Sequence, residues 1–134
     1  MANETVEGRA AELLGGNNHA VVSTLRKDGS VHNAVVWIAV EDGKPTINSA
    51  VGRAWPTNLE RDPRVTLTVY DPQNPYEYVE IRGKATDFDT ADGDPHIDRL
   101  AKKYLDADSY PFRQEGEQRV KITIEPERVR HQAQ

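Results

Sequence analysis

The chain has 134 residues, 37% hydrophobic and 29% charged, which is the length of one domain and the composition expected of a soluble globular protein rather than a disordered one. It contains no cysteine, which excludes disulfides, thiolate nucleophiles, thiolate metal sites and iron–sulfur clusters. Seventeen Lys and Arg against 22 Asp and Glu leave a net charge of −5, which argues against nucleic acid as a partner, and no apolar stretch approaches the ~18 residues of a membrane span.

The polar start Met1-Ala2-Asn3-Glu4 has neither the basic patch nor the apolar run of a signal peptide, so the cytoplasm is the expected compartment. Val6, Ala10, Leu13 and Leu14 then fall at helical spacing behind the possible caps Asn3 and Thr5, and Gly15-Gly16-Asn17-Asn18 stops that helix. From His19 the texture becomes β-branched, predicting strands over 20–25, 31–40 and 46–49. The breaks Lys27-Asp28-Gly29-Ser30 and Glu41-Asp42-Gly43-Lys44 both carry the Asp-Gly pair of a tight hairpin.

Residues 53–61 lack a period of two and run into Asp62-Pro63, which suits a short connecting helix. Alternation predicts strands at 65–70 and 79–86 around the turn 71–75, with Gly83 marking a bulge or bend. Asp94-Pro95 reads as an N-cap and first helical position, followed by the apolar stripe Ile97, Leu100, Ala101, Tyr104 and Leu105. A polar loop over 106–117 precedes a last strand at Val120, Ile122 and Ile124, and a mobile tail is expected from about 127. The sum is a single domain, 1–134, built as a six-stranded antiparallel barrel with short helices at its ends.

Chemistry is sparse. The histidines at 19, 32, 96 and 131 form no tight ligand pair, so no metal is expected. No serine sits in a nucleophile elbow, and no Walker or Rossmann glycine loop is present. The informative stretch is 48–65, where a strand leaves through Asn48-Ser49-Ala50 into a Gly52-Arg53 corner and a helix N-terminus, the outline of an anion site. On the residues alone, the other open reading is that Arg53 pairs with a surface carboxylate and Trp55 caps the core.

The order of blocks resembles a known family. Gly-Arg-Ala-x-x-x-Asn-Leu-x-Arg-Asp-Pro-Arg-Val at 52–65, Asp-Pro-x-Asn-Pro-Tyr at 71–76, Val-Glu-Ile-Arg-Gly at 79–83 and His-Ile-Asp-x-Leu-Ala-x-Lys-Tyr at 96–104 are similar to split β-barrel flavin and deazaflavin oxidoreductases. These are the pyridoxamine 5′-phosphate oxidase-like proteins, here closest to the actinobacterial branch that uses coenzyme F420. The resemblance, over about 20–129, implies a six-stranded split barrel paired as a homodimer with cofactor sites at the interface.

It implies further that Asn48, Ser49 and Ala50 lie along the cofactor, that Arg53 holds its phosphate-bearing tail, and that Asn58 lines the same region. Tyr76 would stand near the ring or tail, His32 would face the ring, and Arg119 would reach over from the partner subunit. The bland alternatives are a turn-packing Tyr76, an interface His32 and a solvated Arg119. Trp55 and Thr57 stand where the branch commonly carries Lys and Arg, so two phosphate-binding cations are missing and the Trp55 indole either stacks on the ring or fills the site. The implied activity is hydride transfer from reduced F420 to a small conjugated substrate, with no catalytic acid or base assigned. The alternatives are an FMN-binding oxidoreductase of the same fold, or a non-catalytic dimer that binds flavin, haem or tetrapyrrole.

Overall fold

The computed structural model describes residues 3–133, so the start at Met1 and Ala2 lies outside the described residues. Seven strands and three helices follow in the order α1 (Gly8–Gly15), β1 (Ala20–Leu25), β2 (Val31–Val36), β3 (Ile38–Glu41), β4 (Lys44–Ala50), α2 (Ala54–Arg61), β5 (Arg64–Asp71), β6 (Asn74–Asp89), α3 (Gly93–Leu105) and β7 (Arg119–Gln132). All pairings are antiparallel, in the order β2-β1-β5-β6-β7-β4-β3. β2 and β3 end the sheet on opposite sides, yet only Trp37 separates them in the chain, so the sheet curls until its two ends meet there.

That bend corrects the strand count from six to seven: the apolar run 31–40 is one stretch of sequence but two strands, because it must pair with β1 before Trp37 and with β4 after it. A second correction concerns the expected tail. Residues 127–132 continue β7, with Val129 opposite Ile81 and Gln132 opposite Tyr78. Pro126 does not stop the strand because it stands opposite Gly83, at the bulge where a ladder bond is not required.

Alternate residues of the strands fill the barrel with Val22, Ile38, Ile47, Leu67, Ile81 and Ile122, all fully buried, each worth about 1.5–3 kcal/mol relative to exposure. α1 adds Leu13 and Leu14 to that core, and α2 adds Trp55 and Leu59. The β3–β4 hairpin turns through Asp42 and Gly43, both at positive φ, as an Asp-Gly two-residue turn demands. The loop after β1 is longer: Arg26 donates its N–H to Ser30 O, and only Gly29 takes positive φ.

α3 begins at Gly93, ahead of the expected Asp94 cap, and lays Gly93, His96, Ile97, Leu100 and Ala101 on the outer side of β4 and β7. β4 is therefore covered on both sides and is buried from Pro45 to Ala50. Pro95 is tolerated because first-turn N–H groups have no intrahelical partner to lose. No helix among the described residues is long and apolar enough to cross a membrane.

Candidate functional site

A cavity of about 230 Å³ opens where the end of β4, the start of β7, the N-terminus of α2 and the β2–β3 bend converge. Its polar floor is one connected set of hydrogen bonds. Arg119 donates from Nε to Asn48 Oδ1 (2.9 Å) and from Nη1 to Glu117 Oε1 (3.0 Å), while Arg53 donates from Nη2 to Glu117 Oε2 (3.2 Å). Asn48 Nδ2 donates to Gly93 O (2.9 Å) and to His96 Nδ1 (2.9 Å), and His96 Nε2 lies 2.9 Å from Thr46 Oγ1.

The donor-only guanidinium of Arg119 fixes which end of the Asn48 amide is oxygen, and the amide N–H in turn makes His96 Nδ1 an acceptor. His96 is thereby the neutral tautomer with its proton on Nε2, given to Thr46. Burial pushes its pKa from 6.5 down to about 4, a fall that the nearby Glu41 only partly opposes.

Two close approaches assemble this floor. Ala50, the last residue of β4, pairs with Arg119, the first of β7. A Cβ on Gly93 would stand 2.1 Å from Arg119 O, so only glycine lets α3 come down onto β7 at this point. Glu117 and Arg119 are almost fully buried, whereas the Arg53 side chain is half exposed and turned to the cavity. Two guanidinium groups share one carboxylate, and the corner keeps a positive excess of one. The first-turn N–H groups of α2, at Ala54 and Trp55, begin beside it.

The opposite wall is aromatic. Trp37 stacks on Tyr104 (5.2 Å between centroids, 7° between planes) and meets Tyr110 edge-on at 6.0 Å; Tyr110 meets Phe112 at 5.7 Å. The guanidinium of Arg119 lies 5.1 Å from the Tyr110 ring centroid, a cation–π contact. The loop carrying Tyr110 and Phe112 is tied to α3, since Arg113 reaches Asp94 (2.5 Å) and Asp98 (2.6 Å) and the Tyr110 N–H donates to Asp98 Oδ1 (2.8 Å).

Of the residues expected from sequence, Asn48, Ser49, Arg53, Trp55 and Arg119 line this one cavity. Trp55 does so while packing in the barrel core, at 7% exposure. The other four are elsewhere. His32 lies four residues up β2 from Val36 at the cavity, ~13 Å along an extended strand, with its Nδ1 buried and without a hydrogen-bond partner. Asn58 is one turn into α2 and donates to Thr24 Oγ1 (3.1 Å), fastening the helix to β1. Ala50 contributes its backbone, accepting the Arg53 N–H (3.2 Å). Tyr76, 70% exposed, stands at the β5–β6 end, away from the cavity.

His96, Glu117, Trp37, Tyr110 and Phe112 were not singled out from the sequence. Tyr110-Pro111-Phe112, two aromatics in an otherwise polar loop, was the available signal. Among the described residues no group of three or more His, Asp or Glu could hold a metal ion.

The comparisons with known proteins agree with this architecture. The sequence profile for pyridoxamine 5′-phosphate oxidase matches residues 6–133. Among solved structures, an F420 reductase is 25% identical, with a TM-score of 0.78 over 89% of this chain and 94% of its own. A conserved hypothetical protein from Mycobacterium tuberculosis is 22% identical (TM-score 0.73; 98% and 89%), and general stress protein 26 from Bacillus anthracis 21% identical (0.66; 90% and 88%). No curated protein sequence matches the chain. With a match over nearly its whole length and the same curled sheet, the chain belongs to the pyridoxamine 5′-phosphate oxidase family of split β-barrel proteins.

Proposed function

We propose that the protein is an F420-dependent oxidoreductase acting on a small conjugated substrate, and that it works as a homodimer. The observation that carries this reading is the cavity itself: a cationic corner of Arg53 and Arg119 faces an aromatic wall of Trp37, Tyr110 and Phe112. The donor set suits a ligand with an anionic tail and a flat ring, and the likeness to an F420 reductase favours the deazaflavin over FMN. When bound, the reduced deazaflavin supplies the hydride.

Arg53 is the half-exposed cation available to a phosphate, and a charge-assisted bond of this kind is worth about 1.5–3 kcal/mol. Arg119, held by Asn48 and Glu117, keeps the corner positive without moving. The aromatic side chains exclude water and orient a planar group. At about 230 Å³ the cavity is smaller than the ~300–1,000 Å³ of a complete small-ligand site. The exposed Val35 and Phe112 at its rim are the surface that a second copy would cover to complete it.

The test is a fluorescence titration of oxidised F420 into wild-type protein and Arg53→Ala, with FMN in parallel. Micromolar binding of F420, weakened at least tenfold by Arg53→Ala with little change in Tm, is expected. FMN binding in preference to F420 would replace the cofactor in this reading, and binding of neither would remove it.

A further inference from the structure

A second concave site lies on the outer face of β5, β6 and β7. It is about 580 Å³, shares no lining residue with the first cavity, and carries Arg64, Arg82 and Arg128 with Thr66, Asn3 and Glu127. The sheet register puts Thr66 opposite Arg82 and Arg82 opposite Arg128, so two guanidinium groups project side by side from neighbouring strands. Adjacent strands are ~4.8 Å apart, and like charges placed directly opposite are destabilising.

Nearby carboxylates cancel this charge only in part. Asp62 takes Arg64 in a bidentate pair at 3.0 and 2.7 Å. Glu80 is only a loose partner of Arg82 (3.7 Å), and Glu127 faces Lys84 at 3.9 Å. The Arg128 side chain has no hydrogen-bond or ion-pair partner among the described residues.

The concavity is built into the backbone. Glu127 is the additional residue of a bulge between the Arg82–Arg128 and Gly83–Pro126 pairs, and a Cβ on Gly83 would lie 2.1 Å from Glu125 O. Bulges of this kind re-aim side chains. The bulge sets Arg82, whose carboxylate partner is the loosely placed Glu80, in register with Arg128, whose side chain has none.

We propose that this groove binds a small molecule bearing a diphosphate. Arg82 and Arg128 take the oxyanions, with Arg64, Thr66 and Asn3 as flanking donors. Planar guanidinium forks match phosphate oxygens in pairs, their strand spacing suits two linked anionic groups, and the volume is that of a small-ligand site. No aromatic side chain lines the groove, so the anion rather than a stacked base is what it recognises.

The probe is inorganic diphosphate, followed by calorimetric titration and thermal unfolding at constant ionic strength for wild type, Arg82→Gln and Arg128→Gln. At tenfold above Kd the wild-type Tm rises about 5 °C. Each variant, freed of the like-charge pair, has a Tm without diphosphate equal to or above wild type, and binds the probe at least tenfold more weakly. A wild-type shift no larger than that given by sulfate, or a shift that survives both substitutions, overturns the proposal. So does a change in monomer–dimer balance in the variants with no diphosphate effect on wild type, which would make the groove a contact between copies.

Discussion

Acidification interrogates the buried hydrogen-bond set through His96. The native imidazole resists protonation until about pH 4, whereas in the unfolded chain it takes a proton near 6.5. Between these values the unfolded state binds more protons, so stability falls as pH is lowered from 6.5 to 4, and below 4 the loss is complete. The gap corresponds to about 3 kcal/mol, or about 10 °C in Tm for a chain of this size. His96→Gln keeps a carbonyl oxygen for Asn48 and an N–H for Thr46 but does not titrate. The Tm difference between wild type and this variant, followed by the fluorescence of Trp37 and Trp55, should therefore shrink by about 10 °C from pH 7 to pH 4. Asp92 and Glu77, held below the ordinary carboxylate range by Arg99 and Arg9, are common to both proteins and cancel. Parallel curves would refute the buried, neutral His96.

Glu117→Gln removes the charge shared by two arginines while retaining one acceptor. Breaking a buried pair in this way costs about 3 kcal/mol, read in urea unfolding, and F420 affinity should rise severalfold as the corner becomes more positive. Gly93→Ala forces a Cβ against the Arg119 carbonyl, and backbone cannot yield as a side chain does. A loss of about 3 kcal/mol in thermal unfolding is expected, together with weaker F420 binding, because α3 lifts away from the floor of the cavity.

What sequence could reveal followed the range of the forces involved. Alternation located the strands, Asp42-Gly43 located a hairpin, and Gly83 located a bulge, since each is a local constraint. The break at Trp37 was invisible because both sides of it are apolar and β-branched; only the pairing of β2 with β1 and of β3 with β4 separates them. Residues 127–132 look polar because β7 is wet there, yet backbone pairing to β6 needs no apolar face.

The same limit applies to the site. Arg53 and Asn48 stand out beside a strand end, but Glu117 and His96 become partners only when β7 and α3 arrive next to β4, 69 and 48 positions away in sequence from Asn48. Trp55 packs in the core and also lines the cavity. Trp55→Lys would thus place a charge where an indole is packed.

β7 follows every other strand in the chain but occupies an interior place in the sheet, between β6 and β4. Without Arg119–Gln132 the sheet is two leaflets, β2-β1-β5-β6 and β3-β4, with the edges of β6 and β4 left unzipped. One strand thus joins the two leaflets and, by the same pairing, delivers Arg119 to Asn48.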